Sequence, residues 1–326
     1  MKIKALVMIS GGLDSLLAAK LICEQGCEVI GLHFKIPFCK IEIGEGLPGL
    51  EIKIIQEDLG ERFMELLHRP RYGFGSNMNP CIDCKILMFS RAKELMVSLG
   101  AGFVVSGEVL GQRPMSQNKQ SLRLIQEKSG LGELLLRPLS AHFFPPSLAE
   151  KNGWVRREDL LDFNGRLRTP QMRLADKLGL RDYATPAGGC LLTDPCFSKR
   201  LSGLIKREGL TLDNLELLKI GRHFRLGDKT RLVVGRDEKE NLLLKQLARS
   251  GDYLFSPPED LAGPDSLARG AMDEELIFLA SQITSAYADD TGLEKMDIYY
   301  RRFPLKDKVV CRVKCVSKSK FAGLFI

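Results

Sequence analysis

The stretch LVMISGGLDSLLAAKL, residues 6–21, constrains this chain more than any other. An apolar run of strand type, Leu6 to Ile9, breaks into Ser10-Gly11-Gly12-Leu13-Asp14-Ser15, and the helix-like Leu16-Leu17-Ala18-Ala19 follows. Where a strand passes through glycines into a helix, the first helical N–H groups lack internal partners and the positive end of the helix dipole points the same way, which suits a phosphate. Gly11 and Gly12 let a ligand approach the backbone, and Ser10 and Ser15 add hydroxyl donors. The competing reading is an ordinary cap, in which Asp14 or Ser15 satisfies those N–H groups and the glycines only make a turn. At this junction neither the lysine-bearing P-loop, G-x-x-x-x-G-K-[ST], nor the dinucleotide fingerprint, G-x-G-x-x-G, is present.

The remaining pattern, S-G-G-x-D-S straight after an N-terminal strand, resembles the signature of the ATP pyrophosphatases, the PP-loop family. The resemblance implies that Ser10, Gly11, Gly12, Asp14 and Ser15 bind the phosphates of ATP, with Mg2+, while the α-phosphorus is attacked and an adenylated substrate forms.

Strand-like and helix-like runs alternate through the first half: Ala5 to Ile9, then 14–25, Glu28 to Phe34, Ile52 to Gln56, a helical 85–98, and Phe103 to Ser106. Such alternation predicts an α/β fold, a parallel sheet with helices on both faces, whose ligands sit at the carboxyl ends of the strands. Thr169-Pro170 followed by Met172, Ala175, Leu178 and Leu180 predicts a capped helix. From about residue 196 the text reads as shorter strands and turns, a smaller α+β domain, with 256–270 as a long surface loop. The expected domains are 1–198 and 199–326.

Nine cysteines in a chain of 326 residues argue against a secreted disulfide framework and for thiols with metal or redox work. In NMNPCIDCKILMF, Cys81 and Cys84 form a C-x-x-C just before a helix, a spacing that lets two thiolates share one metal. In TPAGGCLLTDP, Cys190 follows paired glycines that leave the thiol accessible, and Cys196 is its rival. Three cysteines with no nearby histidine favour an iron-sulfur cluster with one open iron over structural zinc. Either Cys190 or Cys196 also suits a small buried hydrophobe. Cys23, Cys27 and Cys39 are assigned to the first core, His33, His68, His142 and His223 receive no metal role, and Cys311 and Cys315 no function.

GFVVSGEVLGQRPMSQNKQSLRLIQ, residues 102–126, with LLLRPLS at 134–140, resembles the second block of the tRNA 4-thiouridine synthases of the ThiI type. NPCIDCK is similar to the cysteine motif of the tRNA 2-thiouridylases of the MnmA type, and residues 215–326 resemble the RNA-binding domain at the C-terminus of NFACT proteins. These resemblances imply ATP-dependent thiolation of a tRNA uridine, with adenylation of the carbonyl oxygen and departure of AMP. They imply that Gly107, Gln112 and Ser116 line the nucleotide or uridine pocket. Cys81, Cys84 and Cys190 would hold a 4Fe-4S cluster, or Cys190 would act directly as persulfide or nucleophile. The chain departs from the synthase pattern in having no room for a THUMP domain before the PP-loop and no segment that reads as rhodanese. The basic C-terminal part is expected to replace the first, and a cluster-dependent route the second.

Charge supports an RNA partner. Residues 196–250 hold 13 Lys and Arg against 7 Asp and Glu, and residues 300–326 hold 8 against 1, whereas the net charge of the whole chain is +7. Basicity is thus confined to the C-terminal part, the footprint of a module that meets a phosphate backbone, although a solvated lysine-rich surface has the same composition. No apolar run approaches the ~18 residues of a membrane span, and Met1-Lys2-Ile3-Lys4 leads into a strand, so the expected location is cytoplasmic. The expected partners are tRNA, ATP and a sulfur donor, sulfide or a persulfide carrier; a homodimer is compatible with the sequence. Two other classes remain: a PP-loop synthetase adenylating a small molecule and accepting ammonia, and a non-catalytic RNA-binding protein.

Overall fold

The structure, a computed structural model, describes residues 2–39, 43–44, 50–181, 183, 189–289 and 292–326. It divides into two compact units, Met1–Asp194 and Pro195–Ile326.

The first unit is built on a parallel sheet of β1 (Lys4–Met8), β2 (Glu28–Lys35), β3 (Lys53–Asp58), β4 (Phe103–Ser106) and β5 (Leu135–Leu136), in the order β3-β2-β1-β4-β5. Its helices are α1 (Leu13–Glu24), α2 (Gly60–His68), α3 (Cys81–Ser98), α4 (Lys119–Lys128), α5 (Leu148–Lys151) and α6 (Thr169–Lys177). The central strand β1 shows why both faces are covered. Its Ala5 and Val7 point into one apolar cluster with Leu16, Leu17 and Ala175 of α1 and α6, while Leu6 points into another with Phe89, Ala92 and Ile125 of α3 and α4. Alternate side chains of a strand face opposite ways, so an uninterrupted apolar run means burial on both sides. The α/β expectation for this half is met.

The order places a switch point beside β1: the chain moves from β1 to β2 on one side and returns through α3 to β4 on the other. At such a point the loops at the carboxyl ends of two neighbouring strands part and leave a crevice. Residues 9–12 follow β1 and residues 107–112 follow β4, so both motif segments flank it.

The second unit is α+β, with an antiparallel sheet ordered β11-β10-β8-β9-β7-β6. Its strands are β6 (Arg222–Arg225), β7 (Arg231–Val234), β8 (Tyr253–Ser256), β9 (Ser266–Arg269), β10 (Lys295–Arg302) and β11 (Val309–Lys314), with helices α7 (Pro195–Arg207), α8 (Leu212–Leu218), α9 (Glu238–Gln246) and α10 (Glu274–Ala286). Leu232 and Val234 of β7 face the cluster under α10, and Val233 faces the cluster under α8 and α9.

Three local expectations are corrected. Residues after 195 begin as helix, because Phe197, Leu201 and Leu204 recur at the 4- and 7-residue spacing of one helical face and are buried. The segment 256–270 is not one loop, since Ser266–Arg269 forms a strand with Ser266, Leu267 and Ala268 buried; four residues are too few for periodicity to reveal. The C-x-x-C does not precede α3 but forms its first turn, with Pro80 at the N-cap position. Among the described residues no helix is long and apolar enough to cross a membrane.

Candidate functional site

The loop between β1 and α1 has the geometry of an anion cradle. Gly11 adopts a positive φ of 75°, a conformation glycine takes without strain, and Gly12 occupies the N-cap position of α1 with no side chain capping it. The ordinary-cap reading therefore fails: Asp14 and Ser15 do not satisfy the helix N-terminus. Ser15 instead turns back, its hydroxyl donating to Gly12 O at 2.7 Å and accepting from Ser10 N at 3.2 Å, which ties the loop into a closed turn.

The segment after β4 locks onto this loop. A Cβ on Gly107 would stand 2.5 Å from Asp14 O, so only glycine lets the β4 exit pack against the first turn of α1. Gln112 Nε2 donates to Asp14 Oδ2 at 3.0 Å, and Arg168, at the N-cap position of α6, reaches the same oxygen at 3.7 Å. Burial raises the Asp14 carboxyl above its ordinary pKa, only partly offset by Gln112, Arg168 and Arg113. Asp14 Oδ1 and Arg168 Nε are buried without a hydrogen-bond partner. Unsatisfied buried polar atoms are costly, and a carboxylate and a guanidinium left open beside a helix N-terminus suit a metal-bearing polyphosphate. Ser116 is buried a few residues further on.

The thiols come to the same edge of the sheet by topology. α3 leads into β4, so its N-terminus, with Cys81 and Cys84, lies at the carboxyl end, as does Cys39, just beyond β2. Cys190 pairs with Cys39 in an isolated antiparallel bridge, held by Leu191 N donating to Phe38 O at 2.8 Å. The assignment of Cys39 to the core is thereby corrected: it is exposed, whereas Cys27 is buried and Cys23 packs against the core. Thr185 to Gly188, quoted as exposing Cys190, lie outside the described residues.

Three side chains fix the thiols. Asp83 accepts from Arg71 N at 2.9 Å and Tyr72 N at 3.0 Å, pinning the preceding loop to α3. Asn79 Nδ2 donates to Cys81 Sγ at 3.1 Å, and Asn77 Nδ2 donates to Thr193 O at 2.9 Å, next to the turn where Thr193 Oγ1 donates to Cys190 O at 2.7 Å. Burial pushes the Cys84 thiol far up, reinforced by the neighbouring Cys190, Cys81 and Cys39 sulfurs. Burial likewise pushes Cys190 up to about 11, with Cys81 and Cys39 adding to it. Among the described residues no three His, Cys, Asp or Glu side chains stand in an arrangement that could hold a metal ion as they are. Cysteine sulfurs are soft donors of the kind thiophilic metals take, and Cys81, Cys84, Cys190 and Cys39 share one neighbourhood.

A buried ion network joins the two halves of the site. Glu108 receives Lys85 Nζ at 2.6 Å and Arg137 Nε at 2.9 Å, and Arg137 also donates to Gln126 Oε1 at 2.6 Å and Leu122 O at 3.1 Å. Burial works against the charged Glu108, but Lys85 and Arg137 outweigh it and hold its carboxyl below the usual range. Lys85 follows the C-x-x-C and Glu108 follows Gly107, so this triad ties α3 to the loop after β4. Sequence reading missed Glu108, Lys85, Arg168 and Cys39. Lys85 and Glu108 sit inside quoted motifs and were within its reach; Arg168 carried no signal beyond preceding Thr169-Pro170.

In the second unit Lys306, Lys308, Arg312, Lys314, Lys318 and Lys320 are all exposed on or beside the edge strand β11. Charged residues along an edge discourage pairing with other chains; of these, Arg312 is held by Asp297 and Lys308 lies 3.3 Å from Glu259.

Residues 1–142 match the family model described as Thiamine biosynthesis protein (ThiI), and residues 221–324 match the one described as NFACT protein RNA binding domain. The chain is 32% identical over 148 residues to the tRNA-specific 2-thiouridylase MnmA of Petrotoga mobilis, covering 38% of this chain and 40% of that protein. It is 24% identical over 293 residues to the MnmA of Listeria monocytogenes, covering 78% and 74%. A solved 4-thiouridine synthetase–RNA complex with bound ATP aligns at a TM-score of 0.38 and 18% identity, over 65% of this chain and 52% of that one. The match to the Petrotoga protein spans two fifths of that protein's length. The N-terminal part thus resembles PP-loop enzymes of the tRNA thiolation group and the C-terminal part an NFACT-type RNA-binding domain.

Proposed function

We propose that this chain is an ATP-dependent tRNA sulfurtransferase that replaces a uridine carbonyl oxygen by sulfur. The observation that carries the reading is that an uncapped glycine loop, an open Asp14–Arg168 pair and Cys81, Cys84 and Cys190 lie at one edge of one sheet. Similarity to thiouridylases and the exposed lysines of the second unit support tRNA as the substrate.

In this mechanism the N–H groups at the start of α1, with the Ser10 hydroxyl, take the pyrophosphate end of ATP, Ser15 closes the loop beneath them, and Asp14 faces its Mg2+. Gly107, Gln112 and Ser116 form the nucleotide side of the crevice. The uridine oxygen attacks the α-phosphorus and pyrophosphate leaves, after which sulfur attacks the activated carbon and AMP leaves. Arg168, released from Asp14, stabilises charge on the phosphates. Cys81, Cys84 and Cys190 would hold a 4Fe-4S cluster, which when bound supplies an iron site able to take up sulfur. Asn79 donates a hydrogen bond to the Cys81 sulfur and fixes it, and the Glu108 triad keeps α3 in register with the nucleotide loop.

The test is made on anaerobically purified protein. Iron and labile sulfide are measured for wild type and for Cys81→Ala, Cys84→Ala and Cys190→Ala, alongside ATP-dependent thiolation of tRNA with sulfide as donor. About four irons per chain, lost in each variant, with thiolation abolished by Asp14→Ala, is the expected result. A colourless protein that exchanges pyrophosphate into ATP and ignores tRNA would instead be a small-molecule adenylating synthetase.

A further inference from the structure

Two segments of the first unit run side by side into the nucleotide site. Leu110 and Asn164 form an isolated parallel bridge, with Gly165 N donating to Leu110 O at 2.7 Å. Gly111 and Gly165 take positive φ values of 78° and 81°, and a Cβ on Gly111 would stand 3.3 Å from Gly165 N, so glycines let the two backbones close up. Each segment sends one side chain inward: Gln112 and Arg168 both reach Asp14 Oδ2. Their neighbours are left at the mouth of the crevice. Arg113, Arg166 and Arg173 are exposed there. So are Met172, at 51%, and Leu167, which at 78% is the most exposed large apolar side chain among the described residues. The turn that carries Arg113 is closed on itself, Gly111 N donating to Gln117 O at 2.7 Å and Gln117 N to Arg113 O at 2.9 Å.

This rim carries one sign of charge. Residues 109–126 and 163–175 contain no Asp or Glu, and among the described residues Arg113, Arg166 and Arg173 make no ion pair. The closest acids along the chain are the exposed Asp162 and Asp176 and the buried Glu108, which Lys85 and Arg137 engage. The charge of Arg113 favours the ionised forms of Asp14 and Cys190 alike, so it reaches both halves of the site. Guanidinium forks match phosphate oxygens, and apolar side chains exposed among them suit the faces of unstacked bases. An enzyme that acts on a base takes it out of the stack, and the flanking nucleotides then lie over whatever rims the pocket. We propose that this rim is an RNA-docking surface of the first unit itself, in which Arg113, Arg166 and Arg173 take phosphates flanking the reacting nucleotide while Leu167 and Met172 pack against its unpaired neighbours. The proposal rests on the reading that the substrate is a tRNA.

The full chain is tested with unfractionated tRNA by filter binding across a salt series, without ATP. Arg113→Gln, Arg166→Gln and Arg173→Gln, combined, should weaken binding about tenfold or more at low salt and lower the log–log slope by ~2, or ~0.7 for each single-strand phosphate no longer neutralised. Lys2→Gln, Lys53→Gln and Lys128→Gln, combined, remove the same charge from exposed positions before β1, at the start of β3 and at the end of α4, and should leave both quantities near wild type. Leu167→Ser with Met172→Ser should weaken binding about fivefold at an unchanged slope, because an apolar contact releases no counterion. Melting curves that match wild type show each variant to be folded. Wild-type affinity and slope in the arginine variant would overturn the proposal and leave an acidic protein partner as the occupant of the rim. Equal losses in the lysine variant would overturn it too, and unchanged affinity in the Leu167 and Met172 variant would remove the base contacts. A wild-type chain that holds no tRNA would sink the substrate reading and this proposal together. One that docks tRNA through the rim yet transfers no sulfur counts against the proposed function alone.

Discussion

Gln112 Nε2 donates to Asp14 Oδ2 at 3.0 Å, joining residues 98 positions apart at the crevice beside the central strand. The bond orients a carboxylate whose other oxygen has no partner, and burial holds that carboxyl above its ordinary pKa. Wherever Asp14 is ionised in both the folded and the unfolded chain, its burial costs stability. As pH falls through the raised folded value, the folded state takes the proton first and the cost disappears. Asp14→Asn should therefore raise the Tm near pH 7, with a gain that fades in acid, while abolishing ATP-dependent pyrophosphate release. Calorimetry from ~pH 7 to ~pH 4, beside a pyrophosphate-release assay, checks both halves.

Two glycines should separate packing from binding. Gly107→Ala drives a methyl into the Asp14 backbone and should cost about 1–3 kcal/mol in urea melts. Gly12→Ala meets nothing closer than Ser10 Oγ at 3.6 Å, so its fold should stand while the new methyl sits where phosphate oxygens approach. Nucleotide titration of Gly12→Ala should show affinity reduced about tenfold or more; unchanged affinity would place the phosphates elsewhere.

Removing the charge of Glu108 strands Arg137, which is equally buried. Glu108→Gln should destabilise the first unit by roughly 3–5 kcal/mol. Since Lys85 and Arg137 hold Glu108 below the usual carboxylate range, its contribution is full above the unfolded pKa and disappears only as pH falls through the lower folded value. The wild type should accordingly lose this margin only in strong acid, a dependence missing from the variant's melting curves.

Arg168→Met removes a cation that lowers the Asp14 pKa, so the acid limb of ATP binding should move to higher pH. A drop in ATP affinity of about tenfold with a stability change within about 0.5 kcal/mol would mark a phosphate-binding arginine rather than a packing one. Nucleotide titrations at several pH values, paired with melts, decide it.

Replacing Lys306, Lys308, Lys318 and Lys320 together by Ala should weaken tRNA binding and flatten its dependence on salt, by roughly 0.7–0.9 in the log–log slope for each phosphate no longer neutralised. Filter binding across a salt series measures this, and an unchanged slope would locate the RNA surface on other residues.

The glycine loop, the α/β alternation and the C-x-x-C were legible because each is a local pattern: a strand–glycine–helix junction, a periodicity, and a short spacing of thiols. Their order along the chain also sufficed to place them at the carboxyl ends of parallel strands. Helix α7 was misread although its apolar spacing was present, and β9 was too short to declare itself. What only tertiary structure decided are the relationships across distance. Asp14 is open because Gln112 and Arg168 share a single oxygen of it; Glu108 is charged because Lys85 and Arg137 meet it from two other elements; Cys39 faces Cys190 because strand order returns a distant turn to the end of β2. Local sequence encodes which backbone a segment prefers, whereas a buried charge or a facing thiol gains its chemistry from groups that only the folded sheet brings within reach.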